Sequence, residues 1–370
     1  MNKDGLTGKQ LSLLVALQEG PMDTIQELAE HVKFSRTTVS EYLRKMSSKG
    51  RDPSTRLFRV VPQLDEVALG LNTIDCFIMS RHLENLERME ALCDEHPYTK
   101  YRARCYGAHS GLFAQFRVPR GTNAMITDLL KRAKSAGFVE AFSILPTDKQ
   151  PPLFSTSRVA NWNPDTFTWR FDWDRWFDQE ADTIIPQKRG GEQFLDLLTK
   201  KDLHIICQLN HGARRKQKDM IGKLGKAGIE FTSQDFSRRL KRIEDRFISG
   251  YHVFVEPTAF DLYTNVILTA TCDSDVIYRL QSRMTAHPIP FRSTLKTNEN
   301  YLFWYLQLPP SHLSALLGRM HAISHAFVVT MLDYHTSQVY GPWAEAFDEN
   351  SGSWRQDRNF MVTDVLKRID

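Results

Sequence analysis

The residues best suited to chemistry with a partner lie in a short run near the N-terminus. Between Ser35 and Met46, only Val39, Leu43 and Met46 combine apolar character with helical spacing, four and then three apart. The remaining positions, Arg36, Thr37, Thr38, Ser40, Arg44 and Lys45, are small, polar or basic. Hydroxyls and a guanidinium on the N-terminal face of a helix suit hydrogen bonding to base edges in a major groove, with Arg44 and Lys45 placed for the phosphate backbone. A second run, Thr232 to Ile243, keeps the apolar seam as Phe236, Leu240 and Ile243. Its other positions are more basic: Ser233, Gln234, Arg238, Arg239, Lys241 and Arg242. This run is expected to grip phosphate more than it reads bases.

Short helices must present these runs. Leu6, Leu11, Leu14, Val15 and Leu17 mark a first helix ended by Gly20-Pro21. Thr24 caps a second helix with Leu28, Ala29 and Val32 inward, and Ser35 caps the third. Around the second run, a helix from Gln217 to Leu224 is followed by a longer turn, Gly225-Lys226-Ala227-Gly228. Each three-helix head precedes a β-rich stretch, Leu57–Val61 or Tyr251–Val255, that suits a wing.

The heads belong to a repeat spanning most of the 370 residues. Leu6-Thr7-Gly8-Lys9 returns as Leu198-Thr199-Lys200-Lys201, His96-Pro97 as His287-Pro288, Leu112-Phe113 as Leu302-Phe303, and Thr156-Ser157 as Thr336-Ser337. Matches that keep their order across a chain point to a tandem architecture. Charge follows it. The chain is +4 overall, yet residues 1–60 carry +3 and residues 198–256 carry +6. Positive charge thus concentrates in the heads, as binding to phosphates requires.

After each head the pattern reads strand, helix, strand, strand, helix, strand. The first set is Leu71–Met79, His82–Glu95, Tyr98–Cys105, Leu112–Val118, Thr122–Ala136 and Phe138–Leu145. The second is Leu262–Thr271, Asp273–Ala286, Phe291–Lys296, Tyr301–Leu308, Ser311–Ser324 and Ala326–Tyr334. This order gives a four-stranded antiparallel sheet with two helices. A winged helix-turn-helix followed by βαββαβ resembles the Lrp/AsnC family of transcription regulators, over roughly residues 6–146 and 198–334. The resemblance implies an effector site near the turn between the second and third strands: Gly107, His109 and Ser110 in one copy, Thr297, Asn298 and Asn300 in the other. The family's acidic position is Ser110 or Asn300 here, so ordinary amino acids are not the expected effector.

The fold class expected is therefore α+β: two winged helix-turn-helix domains (1–62, 191–257) and two ferredoxin-like domains (68–147, 258–335) in tandem. Each pair is followed by an aromatic extension (148–190, 336–370). Residues 160–182 hold six acids against two arginines and would repel phosphate, so their Trp residues are expected to pack against a sheet, a partner-protein site being the alternative. The five cysteines lack paired spacing, which suits a reduced, cytoplasmic protein without metal or disulfides. No apolar run suits a membrane span. His321 and His325 share a helical face, but no third metal ligand is evident.

The expected function is a non-enzymatic, sequence-specific regulator, a covalent pseudo-dimer binding double-stranded DNA. It has no cofactor, a possible small-molecule effector and possible homo-oligomers. The rival is an enzyme on the same architecture, since the pairing also resembles siroheme decarboxylases. Arg102, Arg104, His96 and His109, with Arg292 and Tyr301, are the residues such chemistry would draw on. A scaffold built on the Trp segments is the third class.

Overall fold

The computed structural model describes residues 6–47, 56–146, 151–181 and 191–369. The first head is α1 (Gly8–Glu19), α2 (Ile25–Val32) and α3 (Arg36–Ser47). Local chemistry starts each helix. Thr7 with Gln10, and Thr24 with Glu27, form reciprocal capping boxes, and Ser35 Oγ accepts the Thr38 N–H at 3.1 Å. Lys33 adopts the left-handed conformation, φ 56°, that turns α2 into α3.

Strand β1 (Phe58–Leu64) leads to β2 (Leu71–Met79), α4 (Leu83–Glu95), β3 (Thr99–Gly107), β4 (Gly111–Pro119), α5 (Asn123–Ser135) and β5 (Ala141–Ile144). The first extension holds β6 (Leu153–Ser155), the hairpin β7 (Trp162–Asn163) and β8 (Thr168–Trp169), and α6 (Trp173–Asp178). The second head is α7 (Lys200–Asn210), α8 (Gln217–Lys226) and α9 (Ser233–Phe247), followed by β9 (Ile248–Val255). The second α/β domain is β10 (Thr264–Thr271), α10 (Ser274–Ala286), β11 (Arg292–Thr297), β12 (Tyr301–Leu308), α11 (Pro310–Ile323) and β13 (Ala326–Leu332). Strands β14 (Gln338–Val339), β15 (Phe347–Asp348) and β16 (Ser353–Trp354), then α12 (Asp364–Ile369), complete the second extension. The fold is α+β, and the second half repeats the first half's order of elements. Strands β1 and β9 pair with each other: the Glu256 N–H donates to Leu57 O at 2.8 Å, and the Asp65 N–H to Phe247 O at 2.9 Å.

Packing does not follow chain order. One compact unit comprises Met1–Val61, Asp148–Arg189 and Tyr251–Val329; the other comprises Pro62–Thr147, Gly190–Gly250 and Thr330–Asp370. Each unit thus combines a head with the α/β domain encoded in the opposite half. The compact units do not coincide with six consecutive segments along the chain.

In unit 1 the strand order is β13-β10-β12-β11-β6. The extension mortars head to sheet. Gln18, at the end of α1, donates through Nε2 to Ser157 O at 2.5 Å, and its Oε1 accepts the Val159 N–H at 2.9 Å. Strand β6 adds to the edge of β11, pairing Ser155 with Ser293. Trp169 Nε1 donates to Phe260 O, and Trp176 Nε1 to His287 O, both at 2.7 Å. Trp173 packs among Trp176, Phe291 and Trp304.

Unit 2 is built in the same way on the order β5-β2-β4-β3, with Thr330–Leu332 of β13 pairing with Cys105–Gly107. Strand β14 adds to β3. Trp354 Nε1 donates to Leu69 O at 2.7 Å, and Tyr98 Oη to Arg355 O at 2.5 Å. The second head meets its extension through Lys200, paired with Glu345 at 2.6 Å, and Cys207, whose Sγ donates to Pro342 O at 3.2 Å. Trp162, Trp169, Trp173, Trp176 and Trp354 are all buried, so these tryptophans are packing residues.

Candidate nucleic-acid interface

Helix α3 separates its two roles by face. Val39 and Met46 are buried and α3 packs on α2, while Arg36, Thr37, Ser40 and Arg44 are exposed. Arg36, Ser40 and Arg44 recur every four residues and share one stripe. Arg36 and Arg44 have no ion-pair partner among the described residues. Ser35 and Thr38 are committed locally: their hydroxyls lie 2.9 Å apart while Ser35 caps the helix. Lys45 pairs with Glu41 at 2.8 Å, an exposed helical pair that a phosphate can displace at little cost. At twelve residues, α3 is about 18 Å long and suits a groove about 12 Å wide.

The second head differs. Its turn is longer: Gly228, left-handed at φ 78°, is followed by Ile229, Glu230 and Phe231 before the cap Thr232. Arg239 and Arg242, expected among the phosphate-facing residues, turn inward instead. Both close on Asp202 of α7, whose side chain is fully buried. Arg239 Nη1 donates to Asp202 Oδ1 at 3.1 Å and Arg242 Nη2 to Oδ2 at 2.6 Å. Burial works against the Arg239 charge, but its bonds to Asp235 and Asp202 outweigh that and hold the group above its ordinary pKa. Asp202 also accepts the Thr199 N–H at 2.9 Å, so a single carboxylate caps α7 and anchors α9. Ser233, Gln234, Arg238 and Lys241 remain exposed. Arg238 bonds to Asp235 at 2.7 Å.

The residues expected to form an effector site fall into different units. In unit 2, β3 and β4 are joined through Gly107 and Gly111, at φ 102° and 146°. A Cβ on Gly111 would lie 2.2 Å from Ile78 O, so only glycine fits. His109 stacks flat on Phe77, ring centroids 3.9 Å apart, and its Nδ1 lies 2.9 Å from Thr330 Oγ1. Burial lowers its pKa. Ser110 is exposed.

In unit 1, Thr297 Oγ1 accepts from Gln281 Nε2 at 2.5 Å, and Asn298 Oδ1 accepts the Glu299 N–H at 2.8 Å. Asn300 lines an open hollow of about 290 Å³ with Asp273, Ser274, Glu299 and His325. His325 Nε2 lies 2.9 Å from Asp273 Oδ1, whereas the His321 ring lies edge-on to Phe327, so the two histidines do not converge. Among the described residues no cluster of three or more His, Cys, Asp or Glu could hold a metal, and no helix is long and apolar enough to cross a membrane.

The residues considered for porphyrin chemistry are mostly engaged. Arg102 pairs with Asp94 at 2.6 Å and Glu90 at 3.2 Å, and Arg104 pairs with Glu90 at 2.8 Å. His96 is buried, with a pKa pulled down to about 3 by desolvation. Arg292 is exposed beside the Phe254 ring, 5.1 Å from its centroid, and Tyr301 is half-buried.

Residues 7–50 match the model of a family described as bacterial regulatory protein, arsR family. No curated protein sequence matches the chain. The solved structure of the siroheme decarboxylase NirDL is 10% identical, with a TM-score of 0.53 over 97% of this chain and 98% of that one. The same protein in co-complex with an iron-uroporphyrin III analogue gives 10% identity and a TM-score of 0.54, covering 98% of this chain and 100% of that one. An AsnC family transcriptional regulator from Agrobacterium tumefaciens is 23% identical over 39% of this chain and 91% of its own, with a TM-score of 0.31. Residues 7–50 thus match a regulator family's model, and the whole chain has a fold that an enzyme also has. That full-length likeness overturns the expectation of a non-enzymatic protein: basic heads do not exclude catalysis when an enzyme shares the architecture.

Proposed function

We propose that the chain binds double-stranded DNA and regulates transcription, with α3 of the first head as its base-reading element. The observation that carries this reading is the outward stripe of Arg36, Thr37, Ser40 and Arg44, exposed on a capped helix within the segment that matches a regulator family. The chain is expected to bind random duplex DNA with an affinity that falls steeply as salt rises. Arg36→Ala with Thr37→Ala is expected to cost about 1–3 kcal/mol per lost base contact at a selected site, with far less loss on random DNA. Equal losses on both would remove α3 from base reading. A chain that binds no duplex at low salt would end the proposal.

A second reading is favoured by the full-length fold likeness: action on a tetrapyrrole bearing carboxylates, as in a siroheme decarboxylase. His109, held flat on Phe77 with Nδ1 at Thr330, is the titratable group best placed to exchange a proton in unit 2. Arg102 and Arg104 are less available to receive carboxylates, because Glu90 and Asp94 already neutralise them. Titration with an iron-uroporphyrin III analogue is expected to shift the tetrapyrrole absorption band, with weaker binding by His109→Ala. An unchanged spectrum at micromolar protein would eliminate this reading and leave the regulator alone.

A further inference from the structure

The second head has lost two cations from its reading helix, yet it carries more exposed basic charge than the first. That charge has moved to α8. Lys218, Lys223 and Lys226 project from this helix against Asp219 alone, whereas α2 of the first head carries Glu27 and Glu30. Ser237 Oγ donates to Gln217 Oε1 at 2.8 Å, which ties the start of α8 to the exposed stripe of α9 that includes Lys241. Lys218, Lys226 and Lys241 have no ion pair among the described residues. Gly222 and Gly225 lie within α8, where an added Cβ would meet nothing within 4 Å. Neither packing nor backbone geometry calls for glycine there, and glycine weakens a helix relative to alanine. Beside lysines, the missing side chains let an extended anion approach the helix closely.

We propose that the second head is a clamp on the phosphate backbone of duplex DNA, held mainly by α8 and blind to sequence. The Asp202 knot fixes α9 as a strut that supports α8. This inference rests on the DNA-binding reading above and divides the work between the heads: the first chooses the site, and the second adds affinity on any sequence. The partner is a duplex, because phosphates spaced along a rod can meet charges spread over successive turns of a helix.

The test uses the full chain, a selected site and random duplex, at several salt concentrations. Lys218→Gln with Lys226→Gln is expected to reduce the slope of log affinity against log salt by about two units, since each phosphate contact contributes about 0.9. Affinity should fall at least tenfold on both DNAs, with the ratio between them unchanged. Lys131→Gln, an exposed lysine of α5, should leave the slope as it was. An unchanged slope in the α8 variant would overturn the clamp while the first head's reading stands. A changed ratio between selected and random DNA would make α8 a reader and also overturn it. If the unaltered chain binds no duplex, both proposals fall together.

Discussion

Asp202→Ala is expected to lower the chain's unfolding free energy by about 3 kcal/mol, the lower end of the 3–5 kcal/mol typical of breaking a buried ion pair. The carboxylate is wholly buried, whereas Arg239 and Arg242 keep 17% and 35% of their side-chain surface exposed. Solvent can therefore reach the cations once their partner is gone, which limits the penalty. The same substitution removes the carboxylate arm of the capping box on α7, leaving Thr199 to cap it alone, so the loss should centre on the second head. Urea unfolding of the whole chain and hydrogen exchange along α7 and α9 would measure it. A loss below about 1 kcal/mol would mean that the knot is an incidental surface pairing.

Acid is expected to destabilise unit 2 well above the range where its carboxylates titrate. His96 is 3% exposed, its Nδ1 accepts the Tyr98 N–H at 3.2 Å, and desolvation brings its pKa from 6.5 to about 3. The unfolded chain takes up this proton first. The stability that neutral His96 supplies is therefore complete above pH 6.5 and is lost as pH falls toward 3, at about 1.4 kcal/mol per pH unit. Glu66 follows at lower pH. Burial alone would raise its pKa, but Lys100 and Arg117 hold it well below the ordinary carboxylate range. Its contribution is present above about pH 4.5 and is lost below that. Unfolding of the unaltered chain and His96→Gln, compared between pH 4.5 and 6.5, isolates the histidine. Glutamine keeps an acceptor but does not titrate, so its stability should fall less by about 1.4 kcal/mol per unit. Parallel pH profiles would contradict the assignment.

Much of the local structure was legible in the sequence. Strands Leu71–Met79 and Tyr301–Leu308 were read to the residue, because turn residues bound their apolar runs. Thr24 and Ser35 cap the helices expected of them, while Thr232, read as the start of its helix, is the residue before it and caps it. The regrouping was not legible: a periodic pattern says that a strand has a buried face, not which half of the chain covers it. The clasp between Gln18 and Ser157 crosses 139 residues and leaves no local trace. The Asp202 knot did leave one. Arg239 stands three residues from Phe236 and four from Ile243, on the face that packs, and Thr199-Lys200-Lys201-Asp202 is a capping pattern. Reading those arginines by charge alone placed them outward. The enzyme question was beyond composition, because regulator and decarboxylase share one architecture.

The regrouping into units also sets a timetable during synthesis. The first head ends at Val61, and the segment that completes its unit begins at Tyr251. At ~5–20 residues per second, a ribosome takes roughly 10–40 s to add the intervening stretch of about 190 residues. Through that interval the extension that Gln18 grips has no β11 to add its β6 to, and the first α/β domain waits still longer for Trp354 and α12. The nascent chain therefore carries two unfinished bodies at once, each exposing apolar surface that only the distal half can cover. A stop codon before Val329 would leave both units unfinished and needing a chaperone, rather than one of them folded.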